Sequence, residues 1–355
     1  MEFPVNSSGQ PADDMPDDLA TSKGPLFGVH ELAPDLLETY ARLWQFETWM
    51  RRLVYVQLRA LDGDAWESKI KTQRAKASKA NDKRLTHMPT PEDDVLSFAQ
   101  LSDLINVIAE HRQYFEAYLP PKTIWDAKLE EVMAIRHRVA HFRTLHRDDL
   151  ARVKQFLRDI DHGLWRFCTG YNHHHSVLPQ SGDPVVAHFL PMDPFPWTEV
   201  GDKQWARLGS ADPAARLSVT VEVLAMPWAT WATPIAGKAG LLYDVSIHAR
   251  GQRSIDYRQF MRETKRLHAR VVHLCLDSAA SSLRVTIPAC LGEDAVKGLI
   301  QRFCDAVLNA MRASSGGGPD GKVQAYADTL PEFVLGPDNP LTYLGPGMDC
   351  SFFAA

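Results

Sequence analysis

Between Met133 and His146 the chain reads MAIRHRVAHFRTLH, fourteen residues with three histidines and three arginines. Histidine is the side chain that moves protons near neutral pH. Arginine keeps its proton, so its forked guanidinium is a fixed cation that can brace charge building on phosphoryl oxygens. Together they suit phosphoryl chemistry, for example cleavage of RNA by its own 2′-hydroxyl, which attacks the adjacent phosphorus and needs neither water nor metal. His141 is the expected general acid or base and Arg136 the electrostatic stabiliser, with His137 and Glu47 as supports. Arg138, Arg143, His146 and Arg147 lie close by and are the expected phosphate contacts.

These residues require a helix to carry them. At about 100° per residue, Leu129, Val132, Met133, Val139 and Ala140 make an apolar stripe with Arg136 near its centre. An unpaired guanidinium is costly to bury, so Arg136 needs an acidic partner, a polar groove or an anion. Glu47 lies mid-stripe on an earlier helix, between Leu43 and Met50, and offers either an ion pair that fixes helix register or a carboxylate that orients the site. Positions five apart point about 140° apart on an ideal helix. Arg136 and His141 therefore meet only if the helix unwinds near His141 or a second chain completes the site.

Other arrangements compete. His137 and His141 share a helix face, as metal-binding pairs do, with His111, Glu130 or the run His173–His175 as further ligands, but none has metal-site spacing. The stretch 68–84, SKIKTQRAKASKANDKR, is basic enough to follow a nucleic-acid backbone, though such runs are more often solvated faces.

Arg136-His137-Arg138-Val139-Ala140-His141 resembles the Arg-x4-His motif of the HEPN superfamily, with a polar residue after the arginine. LWQFETWMRRLVYVQL resembles that family's first helix. The resemblance covers roughly residues 35–170. It implies a helical bundle whose arginine and histidine form a metal-independent endoribonuclease site, usually assembled across a homodimer. It also implies RNA as substrate, no cofactor, and a setting in toxin–antitoxin systems or anti-phage defence, with an antitoxin or other inhibitor as partner. Arg143 stands where one subgroup carries a tyrosine, so that subgroup's control by a nucleotidyltransferase antitoxin is not expected. A HEPN-like bundle without catalysis, binding RNA or nucleotide or acting as a scaffold, is the alternative.

The whole chain has 355 residues, 45% hydrophobic and 23% charged, with net charge -5. Its average field does not attract nucleic acid, so RNA must be held by a local basic patch. Five scattered cysteines without CxxC spacing, no membrane-length apolar run and no signal-like start point to the cytoplasm. Three segments are expected: a disordered leader over 1–30, an N-terminal all-α antiparallel bundle over 31–176, and a C-terminal α+β accessory domain over 177–355. Helices are expected near 36–61, 96–119, 124–142 and 148–167, ending in short links. Beyond 177, strands are expected at 217–223, 241–249 and 283–287, with helices at 257–275 and 294–312. SSGGGPDG reads as a flexible connection rather than a phosphate cradle.

Overall fold

The computed structural model describes residues 33–70, 73–88, 94–172, 182–202, 204–230, 234–313, 323–330, 332–348 and 351–355. The expected leader, the run His173–His175 and SSGGGPDG lie outside these.

Helix α1 spans Pro34–Asp62, with a proline at its start and Gly63 at φ 54° after its end. Its first half buries a stripe through Leu43, Phe46 and Met50. From Leu53 to Ala60 every residue is buried. A helix buried all round needs neighbours on every side. Helix α2 (Gln73–Asp82) carries much of the basic stretch and buries only Ala75, as a solvated helix does. Helix α3 (Leu101–Glu110) begins at a capping box between Gln100 and Asp103. The single helix expected over 96–119 is thus shorter: Asp94 bonds the Ser97 N–H in the turn before it, and two 3-10 turns, Arg112–Tyr114 and Glu116–Tyr118, follow it.

Helices α4 (Lys122–Ala140) and α5 (Asp149–Tyr171) complete the bundle against α1. The buried side of α4 is Trp125, Leu129, Val132 and Ile135. Arg136 is therefore at the rim of the apolar stripe, not at its centre, because Ile135 takes the inward place and Ala140 is exposed.

The C-terminal part opens with α6 (Pro184–Phe189) and a hairpin of β1 (Trp197–Gly201) and β2 (Gln204–Arg207). Strands β3 (Leu217–Ala225) and β4 (Leu241–Ala249) follow, then β5 (Arg253–Ile255) and α7 (Tyr257–Thr264). Next come β6 (His273–Leu276), β7 (Ser282–Pro288), α8 (Glu293–Ala310), β8 (Met311–Ala313), α9 (Val323–Asp328), β9 (Val334–Leu335) and α10 (Pro340–Tyr343). The main sheet has the order β3-β4-β7-β6-β9, antiparallel throughout except for the parallel pair β6–β9. The helix expected over 257–275 stops at Thr264, and Val271 to Leu276, a short apolar run consistent with strand or helix, supplies the buried strand β6.

The sheet is covered on both faces. Tyr243, Val245 and Ile247 of β4 pack with α7 and α8, whereas Leu242, Leu224, Val272 and Cys275 join the core of the bundle. The polar positions of β4 differ along the strand: Asp244 is buried, accepting from Thr286 at 2.7 Å with Arg284 at 3.9 Å, both on β7, whereas Ser246 is half-buried and His248 is exposed. The molecule is α+β overall, with a helical N-terminal part and a mixed sheet in the C-terminal part that share one apolar core. Among the described residues no helix is long and apolar enough to cross a membrane.

Candidate active site

Helix α4 ends in a tight closure. The N–H of Arg143 bonds the Arg138 carbonyl at 2.9 Å and that of Phe142 bonds the Val139 carbonyl at 3.1 Å. This pairing closes a helix around one left-handed residue, usually glycine. Here that residue is Phe142, at φ 54° and 97% exposed. An L side chain is strained at this φ, and the closure sets His141, Phe142 and Arg143 out into solvent. The helix thus stops before His141, whose N–H still bonds the His137 carbonyl at 3.2 Å.

The imidazoles of His137 and His141 meet edge to face, with ring centroids 4.4 Å apart. Local desolvation, then the charges of His141, Arg143 and Arg136, hold His137 below the usual histidine range. Arg136 pairs with Glu47 at 3.8 Å, across from α4 to α1. Glu47 also takes a short hydrogen bond from Arg51, which donates to the carbonyls of Leu96 at 2.9 Å and Ala99 at 3.1 Å. Glu47 is thereby fixed from one side and presents an oxygen to Arg136. No hydrogen bond joins Arg136 to His141 among the described residues.

The four expected phosphate contacts separate into two kinds. Arg138 grips Asp149 through two hydrogen bonds, 3.0 Å from Nε and 2.6 Å from Nη2. Asp149 is buried and also accepts from the His146 N–H at 2.9 Å. Arg138 is therefore committed to bracing the turn between α4 and α5, which corrects its reading as an available phosphate contact. His146 and Arg147 are exposed beside Asp148, at 3.6 and 3.8 Å. Arg143 is exposed and has no ion pair among the described residues. Asp149 and Phe142 escaped the sequence reading; an acidic residue at a helix start was the one signal for Asp149.

Among the described residues no three or more His, Cys, Asp or Glu side chains group as a metal site, and His111 stacks instead on Tyr114. Compared with known proteins, the chain matches no family model, no curated protein and no solved structure.

Proposed function

We propose that this chain is a metal-independent endoribonuclease of the HEPN type. The reading rests on one observation: a guanidinium set by Glu47 lies one turn from a solvent-facing histidine pair, at a helix end that also exposes Phe142 and Arg143. The 2′-oxygen attacks phosphorus, the bond from phosphorus to the 5′-oxygen breaks, and a 2′,3′-cyclic phosphate forms. His141 serves as general acid or base for the proton leaving the 2′-hydroxyl or reaching the 5′-oxygen. His137, whose ring meets that of His141, is its support. Arg136 faces the phosphoryl oxygens. Arg143, His146 and Arg147 steer the strand. The working unit is a homodimer in which one chain's arginine serves the other's histidine, since a two-fold interface uses the same patch twice. The setting is a cytoplasmic toxin–antitoxin or anti-phage defence system, with a dedicated inhibitor.

The test is cleavage of labelled RNA in excess EDTA by the full chain. Cyclic-phosphate ends are expected, and Arg136→Ala and His141→Ala should each lose about a hundredfold or more in rate. Mixing the two inactive variants under proven chain exchange should restore part of the activity; failure to do so removes the shared-site arrangement. A second reading is a non-catalytic HEPN-like module binding RNA or nucleotide or serving as a scaffold. It is favoured by the Glu47–Arg136 pair itself, which also works as a plain strut between α1 and α4. RNA bound but never cut would decide for it.

A further inference from the structure

The charge of this chain is unevenly distributed. Residues 1–32, which lie outside the described residues, hold six carboxylates against one lysine. Their net charge of -5 equals that of the whole sequence, so residues 33–355 carry acidic and basic side chains in equal number. The densest part reads DDMPDDL, with Asp13, Asp14, Asp17 and Asp18 around Met15.

The end of α4 offers the matching surface. From Arg136 to Arg147 the chain holds four arginines, three histidines and no acidic residue. Glu47 takes Arg136 and buried Asp149 takes Arg138, while Arg147 shares the exposed carboxylate of Asp148 at 3.8 Å. Arg143 is left over, exposed and without an ion pair among the described residues. Beside it Phe142 is 97% exposed at φ 54°. A bulky ring in a strained turn, packed against nothing, gains no burial in return for the strain. An acidic stretch with an apolar member complements both features: carboxylates pair with guanidinium groups, and a methionine thioether sits well against an aromatic ring.

Both regions lie at one end of the bundle. Glu38, near the start of α1, pairs with Lys154 of α5 at 2.7 Å. Lys154 follows Asp149, the partner of Arg138, by five residues, so about 7.5 Å along α5 separates the two contacts. The sixteen-residue step from Asp18 to Pro34 can reach up to about 50 Å. Tethering at this range supplies a millimolar effective concentration, so a weak contact suffices.

We propose that the stretch from Asp13 to Leu19 docks on the end of α4, its carboxylates on Arg143 and Arg147 and Met15 against Phe142. It then covers the surface on which RNA phosphates would lie, and the chain restrains its own site. That restraint rests on the ribonuclease reading; the docking does not.

Arginine modification by phenylglyoxal, mapped by mass spectrometry on the full chain, reads the docking directly. Arg143 should react several-fold more slowly in the wild type than in a chain carrying Asp13→Asn, Asp14→Asn, Asp17→Asn and Asp18→Asn. Sodium chloride at about 0.5 M should remove the difference. Arg258, exposed on α7, should react equally in both chains. An excess of a peptide of residues 9–22 should restore protection to the substituted chain. Phe142→Asn, a residue type that tolerates this φ, should lose part of the protection. The docking is overturned if Arg143 reacts equally in both chains, or if the substitutions unmask Arg74 of α2 in its place. Labelled RNA tests the restraint: the substituted chain should bind it several-fold more tightly, and equal affinity would overturn that part. If neither chain binds RNA while Arg143 stays protected, the docking holds and the ribonuclease reading falls.

Discussion

Two regions of this molecule use the same kinds of side chain in opposite ways. At the seam between the bundle and the sheet, polar groups are buried and tied. Tyr171 shares a 2.7 Å hydrogen bond with His273, and Arg284 donates to Asn172 at 2.7 Å and to the Leu341 carbonyl at 2.8 Å. Tyr55 and Arg59 donate to the Val272 and Val271 carbonyls at 2.9 and 3.0 Å. At the end of α4, His137, His141 and Arg143 are exposed, and the chain accepts a left-handed phenylalanine there. Buried polar groups are kept because they satisfy one another. Exposed ones held by a strained turn are available to something else. Charge alone does not separate the two; commitment of the hydrogen bonds does.

The comparison breaks most readily at Arg284. Replacing it with alanine removes the cation 3.9 Å from buried Asp244 and the donor to the Leu341 carbonyl, and about 3 kcal/mol of unfolding free energy should go. Urea titration measures this, and a loss under 1 kcal/mol would mean the seam is not a tied network. By contrast, Arg136→Ala should stay within about 0.5 kcal/mol of wild type in the same assay.

Acid provides the next test. Burial pushes His268 down to about 4 from 6.5, and burial with the charges of Arg52, Arg284 and Arg59 holds His273 well below its usual range. Both are neutral in the folded state, and in the unfolded chain both take up protons below about pH 6.5. Their contribution is therefore intact above pH 6.5 and is lost as pH falls toward 4. His268 alone should cost about 3 kcal/mol across that window. Thermal melts at stepped pH should show the slope, and His268→Gln should flatten it; an unchanged slope in the variant would reassign the acid sensitivity elsewhere.

The smallest expected effect has the opposite sign. Phe142→Gly relieves the left-handed strain and should raise stability by about 0.5–1 kcal/mol, while RNA affinity falls if the exposed ring is used. A Phe142→Gly chain that is less stable than wild type would show that the ring packs rather than waits.

Much of this was legible beforehand. The helical period placed α1, α4 and α5 to within a few residues, and strict alternation gave β4 over the same nine residues, Leu241–Ala249. The Glu47–Arg136 pair followed from two charges standing in apolar stripes. Periodicity failed where tertiary cover decided the outcome. The pattern of β4 does not tell that Asp244 is buried while His248, four residues on, stays exposed. The run from Val271 to Leu276 fits helix and strand equally until the neighbours β7 and β9 are known. Arg138 was legible as a cation but not as Asp149's partner, because the fork forms only after the chain reverses between α4 and α5. The hydrogen bond from Tyr55 to the Val272 carbonyl joins residues more than two hundred positions apart and has no local signature.

Those separations also govern the order in which the molecule comes into being. Phe353 is buried in the bundle, Arg42 of the first helix donates to the Phe353 and Ala354 carbonyls, and Asp161 accepts from the N–H groups of Phe352 and Phe353. Contacts spanning this much sequence form late and slowly. During synthesis α1 is made early but stays uncovered until strands and tail have left the ribosome, with its all-round apolar stretch exposed meanwhile. The apolar stretch of α1 is therefore covered only once the strands and the segment around Phe353 have packed against it.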